Sequence, residues 1–214
     1  MDFTQQLRKQ AFSELDINDY HPDLFGWMSP AYETEFRKAL EGRDINIPIT
    51  IIEVGVWKGL SCITMANILK ELGFKNSTIY AVDTWLGAPE FWEKDRMEAM
   101  NFVNGWPTVF YTFTRNVKYY GHEDTIVPFP ISSIQAAEVF KNRSIVADII
   151  YIDAAHEYNA VKADITAYWS ILSIGGTMIG DDHSSTWHGV IEAVDEIFGA
   201  LKRVNLCVWY AKKT

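Results

Sequence analysis

The chain has 214 residues, of which 48% are hydrophobic and 22% charged, as in a globular domain with a sizeable core. Its net charge of -9 argues against nucleic acid as a partner, because phosphate binding uses clustered Lys and Arg. No apolar run approaches the roughly 20 residues of a membrane span, and the polar N-terminus lacks a signal core. We therefore expect a cytoplasmic protein without a membrane partner, with Cys62 and Cys207 as free thiols.

Short apolar runs alternate with amphipathic segments, a pattern typical of a parallel sheet flanked by helices. Residues 1–45 are expected to form helices that precede the sheet. The predicted strands are 49–55, 78–83, 125–129, 147–153 and 177–180, and the predicted helices are 61–72, 157–172 and 190–201. Gly175 and Gly176 are expected to break the chain before the fifth strand. Residues 203–211 predict a last strand or a tight pair of strands.

The whole chain is predicted to be a single α/β domain, with a mostly parallel, doubly wound sheet and helices on both faces. Residues 86–121 join the second and third strands and are longer than an ordinary crossover. Their aromatic residues are Phe91, Trp92, Phe102, Trp106, Phe110, Tyr111, Phe113, Tyr119 and Tyr120. This insert is either a lid or substrate wall, or a helical elaboration on the sheet. Exposed aromatic residues such as Trp27 and Trp92 favour a homodimer.

A turn with two glycines follows the first predicted strand, in the sequence EVGVWKGLS of residues 53–61. Gly55 permits a tight turn and a close approach of the backbone to a ligand. Gly59 leaves room for the helix to pack on the strand, and Ser61 suits the first helical turn. Glu53 lies at the carboxyl end of the strand, where open α/β sheets bind their ligands.

Asp83 ends the second predicted strand, where a carboxylate can accept from both ribose hydroxyls of an adenosine ligand. Trp85 follows and is expected to pack against the adenine. Trp57 occupies the middle glycine position of the dinucleotide motif G-x-G-x-x-G, where a bulky side chain crowds a pyrophosphate. The loop therefore favours an adenosine ligand without a pyrophosphate.

Acidic residues end the next two strands. Asp153 follows the fourth strand, and Asp181 and Asp182 follow the fifth. Because neighbouring strands lie about 4.8 Å apart, the three carboxylates are expected to converge and to need a hard divalent cation. Asp181 and Asp182 both reach it only if the chain turns there. His156, three residues after Asp153, is suited to accept a proton near neutral pH.

Taken in order, the motifs EVGVWKGLS, AVDTW, PISS, YIDAAHEY, GGTMIGDDH and HGVIEAVDEIF resemble those of a known group. The chain resembles class I methyltransferases of the macrocin O-methyltransferase and cephalosporin-hydroxylase-like type. It is similar, more distantly, to catechol O-methyltransferase. The resemblance covers roughly residues 49–200 and implies S-adenosylmethionine and Mg²⁺ as cofactors, with a hydroxyl of a sugar or polyketide-like small molecule as acceptor.

The resemblance also implies a division of labour. It assigns the cofactor's methionine portion to the glycine loop, the ribose to Asp83 and the adenine to Ser133. With the residue arguments, the candidate cofactor residues are Glu53, Gly55, Trp57, Gly59, Ser61, Asp83, Trp85, Ser133 and Asp153. The candidate Mg²⁺ ligands are Asp153, Asp181 and Asp182. Asp153 and His156 are the candidate catalytic residues, and His156 stands where the catechol enzyme carries a lysine base.

The expected reaction begins with a metal that lowers the pKa of an acceptor hydroxyl. His156 removes the proton, and the oxygen attacks the sulfonium methyl. Two other classes stay open as alternatives. An NAD(P)-binding oxidoreductase is disfavoured by Trp57 and by the lack of a well-placed Tyr-x-x-x-Lys pair. A non-catalytic cofactor-binding protein is disfavoured by the polar residues present in every motif.

Overall fold

The computed structural model describes residues 2–93, 96–199 and 202–214. Its helices are α1 Phe3–Phe12, α2 Tyr32–Leu40, α3 Leu60–Glu71, α4 Pro89–Glu93, α5 Val109–Tyr119, α6 Ser133–Asn142, α7 Tyr158–Ile171 and α8 His188–Phe198, with a 3-10 turn at Met97–Met100. Its strands are β1 Thr50–Val54, β2 Thr78–Asp83, β3 Phe102–Val103, β4 Trp106–Pro107, β5 Ile126–Pro130, β6 Ala147–Ile152, β7 Leu172–Gly180, β8 Arg203–Asn205 and β9 Val208–Lys212.

The main sheet has the strand order β5-β2-β1-β6-β7-β9-β8. Strands β5, β2, β1, β6 and β7 are parallel, and the β8–β9 hairpin continues the sheet antiparallel to β7. Ile51 and Ile52 are fully buried on opposite faces of β1 and belong to two separate apolar clusters. Helices α2, α3 and α5 pack in one cluster and α6, α7 and α8 in the other, which confirms the predicted α/β fold class.

The predicted strand limits agree with the structure to within two residues, except at the fifth strand. β7 begins at Leu172, five residues before the predicted start, and Gly175 and Gly176 lie within it, in a stretch where the pairing register with β6 shifts between Leu172 and Thr177. Lys213 explains the continuity: its backbone exchanges hydrogen bonds with Gly175 (2.8 Å) and Gly176 (2.9 Å), so both glycines stay paired. Helix α8 ends at Phe198, and the predicted helix end at Leu201 lies outside the described residues.

Helix α1 covers the outer edge of the sheet. Thr4 Oγ1 lies 2.6 Å from Tyr80 OH, and Arg8 Nη2 donates to the carbonyl of Thr125 over 3.2 Å. An uncovered edge strand such as β5 would offer unpaired backbone groups to other chains, and this helix shields it. Within the described residues, no helix is both long and apolar enough to span a membrane.

The predicted insert of residues 86–121 has two parts. Phe113 and Val117 of α5 are fully buried, so α5 packs on the sheet as an ordinary crossover helix. The described residues before α5 form α4, the 3-10 turn and the β3–β4 hairpin. Gly87 to Phe91 and Arg96 line the cavity described below, so this part of the insert forms a wall of the site.

Candidate functional site

A cavity of about 550 Å³ opens at the carboxyl ends of β1, β2, β6 and β7. Its size is that of a typical small-molecule site. The predicted site residues that line it are Gly55, Trp57, Ser61, Asp83, Ser133, Asp153, His156 and Asp182. Eight of the twelve predicted site residues therefore line one continuous cavity, in which the glycine loop and the acidic strand ends meet.

The glycine loop needs both of its glycines. Gly55 has a φ of +85°, and a Cβ there would lie 1.9 Å from the carbonyl oxygen of Asp153. Gly59 caps α3 with a φ of +90°, and a Cβ there would meet the Phe113 ring at 2.8 Å. Only glycine takes such a conformation at this packing distance, so β1 turns into α3 directly beneath the cavity.

Asp83 holds the glycine loop through its side chain. Its Oδ2 accepts from the amides of Val56 and Trp57, each at 2.9 Å, and its Oδ1 accepts from the amide of Trp85 at 2.7 Å. An ionised carboxylate has about four acceptor positions, so Asp83 keeps about one for a ligand. Asp83 is therefore placed to shape the loop as well as to meet a ribose hydroxyl.

We expected Trp85 to flank the adenine, but its side chain does not line the cavity. It is 2% exposed, its ring stacks on Phe113 with centroids 4.9 Å apart, and its Nε1 donates to the carbonyl of Trp57 over 2.8 Å. The Trp85 ring packs against the apolar surface of α5 and therefore does not reach the cavity. Trp85 thus supports the loop from behind.

Glu53 also lies behind the loop, fully buried, and accepts from the Ser61 hydroxyl. Burial raises the pKa of Glu53 to about 8, against the hydrogen bonds from Ser61 and Cys62 and with the Asp83 charge adding to the rise. Its Oε2 has no hydrogen-bond partner within the described residues. Because the carboxyl is largely protonated at neutral pH, it fixes Ser61 at the cavity wall without adding a full negative charge.

The ends of β6 and β7 bring two carboxylates to one hydroxyl. Tyr151 OH donates to Asp153 Oδ2 over 3.2 Å and lies 3.5 Å from Asp181 Oδ2. Burial raises the pKa of Asp153 well above its ordinary value, and the charges of Asp181 and Asp182 raise it further. Asp182 has a φ of +65°, so the chain has turned there, and Asp182 lines the cavity while Asp181 lies behind it.

His156 lines the cavity close to Asp182 and Trp187. Its ring stacks on Trp187 with centroids 3.7 Å apart and an interplanar angle of 13°. Nε2 lies 3.0 Å from Asp182 Oδ2, and Nδ1 lies 3.6 Å from Glu90 Oε1. Burial lowers the pKa of His156, but the Asp182 hydrogen bond and the charges of Asp182 and Glu90 outweigh it and raise the pKa above its usual value.

The predicted Mg²⁺ site stays a prediction. Asp153, Asp181 and Asp182 supply the oxygen donors that hard cations prefer, and their mutual repulsion favours a positive charge among them. Among the described residues, no group of three or more His, Cys, Asp or Glu is arranged to hold an ion. Asp181 instead accepts from Asp182 N (2.8 Å) and Ser29 N (3.3 Å).

Tyr151, Trp187, Glu90 and Trp27 are among the residues at the site that the sequence argument did not identify. Tyr151 had a usable signal, since it lies two residues before Asp153 and therefore on the same face of β6. The other three reach the cavity from elements whose position the sequence pattern does not fix.

The sheet order and the loop geometry are those of a Rossmann-like class I methyltransferase, the class that binds S-adenosylmethionine. Residues 52–183, more than half of the chain, match the family described as methyltransferase domain. The chain therefore belongs to this methyltransferase-domain family.

Two curated relatives are O-methyltransferases. Mycinamicin III 3''-O-methyltransferase of Micromonospora griseorubida is 28% identical over 148 residues, which cover 64% of this chain and 56% of that protein. Demethyldecarbamoylnovobiocin O-methyltransferase of Streptomyces niveus is 35% identical over 48 residues, 22% of this chain and 18% of that protein. The chain thus spans about half the length of the first relative and a smaller part of the second.

Solved structures share the fold. The O-methyltransferase NovP has a TM-score of 0.58 at 24% identity, over 85% of this chain and 79% of that one. The calicheamicin methyltransferase CalS11 has a TM-score of 0.60 at 18% identity, over 98% and 90% of the two chains. An O-methyltransferase from Bacillus cereus in complex with S-adenosylhomocysteine has a TM-score of 0.58 at 14% identity, over 100% and 92%.

Proposed function

We propose that this chain transfers a methyl group from S-adenosylmethionine to a hydroxyl of a sugar carried by a small natural product, with the help of a divalent cation. The observation that carries the proposal is the position of His156: it shares one cavity with the glycine loop, with its ring flat on Trp187 and Nε2 on Asp182. A proton acceptor beside a methyl-donor site is what O-methylation needs.

The names of the relatives support a sugar hydroxyl as acceptor. One curated relative is a 3''-O-methyltransferase of mycinamicin III, and CalS11 is described as a TDP-rhamnose 3'-O-methyltransferase. The cavity is consistent with such an acceptor, because its outer part combines the Trp27 and Phe91 rings with the polar groups of Glu90 and His156.

The chemistry follows from the residues present. S-adenosylmethionine supplies the methyl group, and a divalent cation, for which Asp153 and Asp182 offer oxygen donors at the cavity, would lower the pKa of the acceptor hydroxyl. His156 takes the hydroxyl proton at Nδ1, since Nε2 is engaged by Asp182. The acceptor oxygen gains the methyl group, and the products are a methyl ether and S-adenosylhomocysteine. Positioning and charge stabilisation by the cavity contribute most of the rate.

Calorimetric titration with S-adenosylhomocysteine, in Mg²⁺ and again in chelator, tests the cofactor part. Micromolar binding in both conditions is expected, because the glycine loop is held in place by its own glycines and by the hydrogen bonds to Asp83, none of which needs a cation. Methyl transfer to sugar acceptors is expected in Mg²⁺ and lost in chelator. Equal turnover in chelator would remove the cation from the proposal, and absence of cofactor binding would overturn the proposal as a whole.

A further inference from the structure

Glu90 is a carboxylate in the cavity wall that belongs neither to the glycine loop nor to the acidic strand ends. It lies in the first turn of α4, and its side chain is 17% exposed. Its Oε1 is 3.6 Å from His156 Nδ1, too far for a hydrogen bond. An ionised carboxylate has about four acceptor positions, so Glu90 offers acceptor capacity to a ligand at this end of the cavity.

Two aromatic rings, those of Phe91 and Trp27, line the same cavity as Glu90. Phe91 stacks on Trp57 with centroids 4.5 Å apart, and Trp27 meets Phe91 edge-on at 6.2 Å. Trp27 lines the cavity and is 58% exposed, although Phe25 lies edge-on to it at 5.2 Å and the Arg96 guanidinium lies 5.7 Å from its ring centroid. The exposed part of its ring offers an apolar surface to a ligand. A sugar ring matches this wall, because it has apolar C–H faces and a rim of hydroxyls.

We propose that Glu90 is a specificity-determining residue that accepts a hydrogen bond from the sugar hydroxyl adjacent to the one that is methylated. The inference rests on the proposed function and names a feature of its acceptor, a vicinal diol. His156 Nδ1 and Glu90 Oε1 are about as close as two neighbouring hydroxyl oxygens. One sugar ring can therefore present the reacting hydroxyl to His156 and the next hydroxyl to Glu90, while Trp27 covers its face.

The other role open to Glu90 is electrostatic, through its charge on His156. That role predicts a change in kcat without a change in acceptor binding. Direct hydrogen bonding to the acceptor predicts weaker binding and a higher KM, and the loss depends on one particular hydroxyl of the acceptor. Acceptor affinity measured without turnover therefore separates the two roles.

The test uses the variant Glu90→Gln and the control Glu93→Gln, which changes an exposed carboxyl of the same helix. Each chain is saturated with S-adenosylhomocysteine in Mg²⁺ and titrated calorimetrically with p-nitrophenyl α-L-rhamnopyranoside. Loss of a charged hydrogen bond should weaken binding of the rhamnoside roughly 10–100-fold in Glu90→Gln. The control should bind like the unchanged chain.

Monodeoxy rhamnosides, each lacking one hydroxyl, complete the test. One of them should bind weakly to the unchanged chain and lose little more in Glu90→Gln, because the two changes remove the same hydrogen bond. Unchanged affinity in Glu90→Gln, or no binding of any rhamnoside to the unchanged chain, would overturn the inference. Methyl transfer from S-adenosylmethionine is measured in parallel. Glu90-dependent binding without transfer would overturn the proposed function and leave only a Glu90 contact to the sugar. Transfer with Glu90-independent binding would overturn this inference alone.

Discussion

At the scale of single residues, two contacts hold the His156 side chain in one orientation. The stacked Trp187 ring fixes the plane of the His156 ring, and the contact between His156 Nε2 and Asp182 fixes the rotation of the ring within that plane. Such a side chain loses little entropy when a substrate arrives. A preorganised proton acceptor should therefore matter for turnover and not for cofactor binding.

His156→Gln tests this role. Glutamine keeps a polar group near Asp182 but takes up no proton at neutral pH, so turnover should fall roughly 10²–10⁴-fold. Affinity for S-adenosylhomocysteine should stay unchanged, because the glycine loop and Asp83 are untouched. The control is His188→Gln, an exposed histidine at the start of α8. Turnover equal to that of the unchanged chain would show that another group accepts the proton.

Asp83→Asn tests the carboxylate that holds the loop. Asparagine has one acceptor oxygen for three backbone amides, those of Val56, Trp57 and Trp85, so the loop loses part of its support. Hydrogen bonds to a charged group contribute about 1.5–3 kcal/mol, which predicts a roughly 10–100-fold weaker S-adenosylhomocysteine complex. Calorimetry measures it, with the exposed Asp124→Asn as control. Unchanged affinity would show that neither the loop support nor the ribose contact contributes.

At the scale of elements, α7 carries a buried acid that faces the start of α6. Asp164 is 3% exposed, and burial raises its pKa to about 6, against a hydrogen bond from the Ser133 side chain. Tyr168, one turn later on α7, donates to the carbonyl of Ser133 over 2.9 Å. Two turns of α7 therefore hold the residue that begins α6 at the cavity.

The raised pKa of Asp164 makes stability depend on pH. The folded state holds the proton more tightly than the unfolded state, so the stabilising neutral form is lost as pH rises from about 4 to 6. Asp164→Asn should remove this dependence and raise the free energy of unfolding at pH 7 by about 1–3 kcal/mol. Urea unfolding at pH 5 and pH 7 measures it, with the exposed Glu138→Gln of α6 as control. A variant less stable than the unchanged chain at pH 7 would contradict it.

The sequence predicted the elements whose side-chain burial follows a regular pattern along the chain. Strands β1 and β6 are buried on both faces, so their apolar runs identify them directly, and Gly55 and Asp83 follow from their places at strand ends. Trp85 was placed beside the adenine because its neighbour Asp83 lines the cavity. Its ring turned instead to Phe113, a residue 28 positions later, and no local pattern records that choice.

Glu90 is a cavity residue that the sequence did not identify. It lies in a short helix that begins at Pro89, within an insert with no repeating apolar pattern. Its distance from His156 depends on how the insert folds back over the strand ends. Long-range placement of this kind is decided by packing, and the sequence pattern alone does not contain it.

At the scale of the whole molecule, three distant parts of the chain meet beside the glycine loop. Lys58 Nζ lies 2.6 Å from Asp23 Oδ2, and the fully buried Asn116 donates to the carbonyls of Asp23 (2.7 Å) and Lys58 (2.8 Å). The segment that carries Trp27 is thereby tied to the loop and to α5. The N-terminal extension is thus part of the site, and its attachment should be measurable.

The two partners of this ion pair are unequally buried. Replacing one partner should therefore change the free energy of unfolding by a different amount than replacing the other. The Lys58 side chain is 5% exposed and that of Asp23 is 41% exposed. Asp23→Asn leaves a buried ammonium without a counter-charge and should cost about 2 kcal/mol of unfolding free energy. Lys58→Met removes the buried charge, keeps the apolar stem and leaves Asp23 in contact with water, so it should cost less than about 1 kcal/mol.

Urea unfolding of both variants decides the order, and hydrogen exchange of residues 20–29 shows whether the loss is local. Exchange should accelerate there in Asp23→Asn, because the segment loses its tie to the glycine loop. Glu71→Gln, which breaks the exposed pair with Arg37, is the control and should leave the unfolding midpoint nearly unchanged. If Lys58→Met proves the more damaging change, the pair acts mainly through the lysine's other contacts, such as the Phe25 and Trp57 rings, and not through its charge.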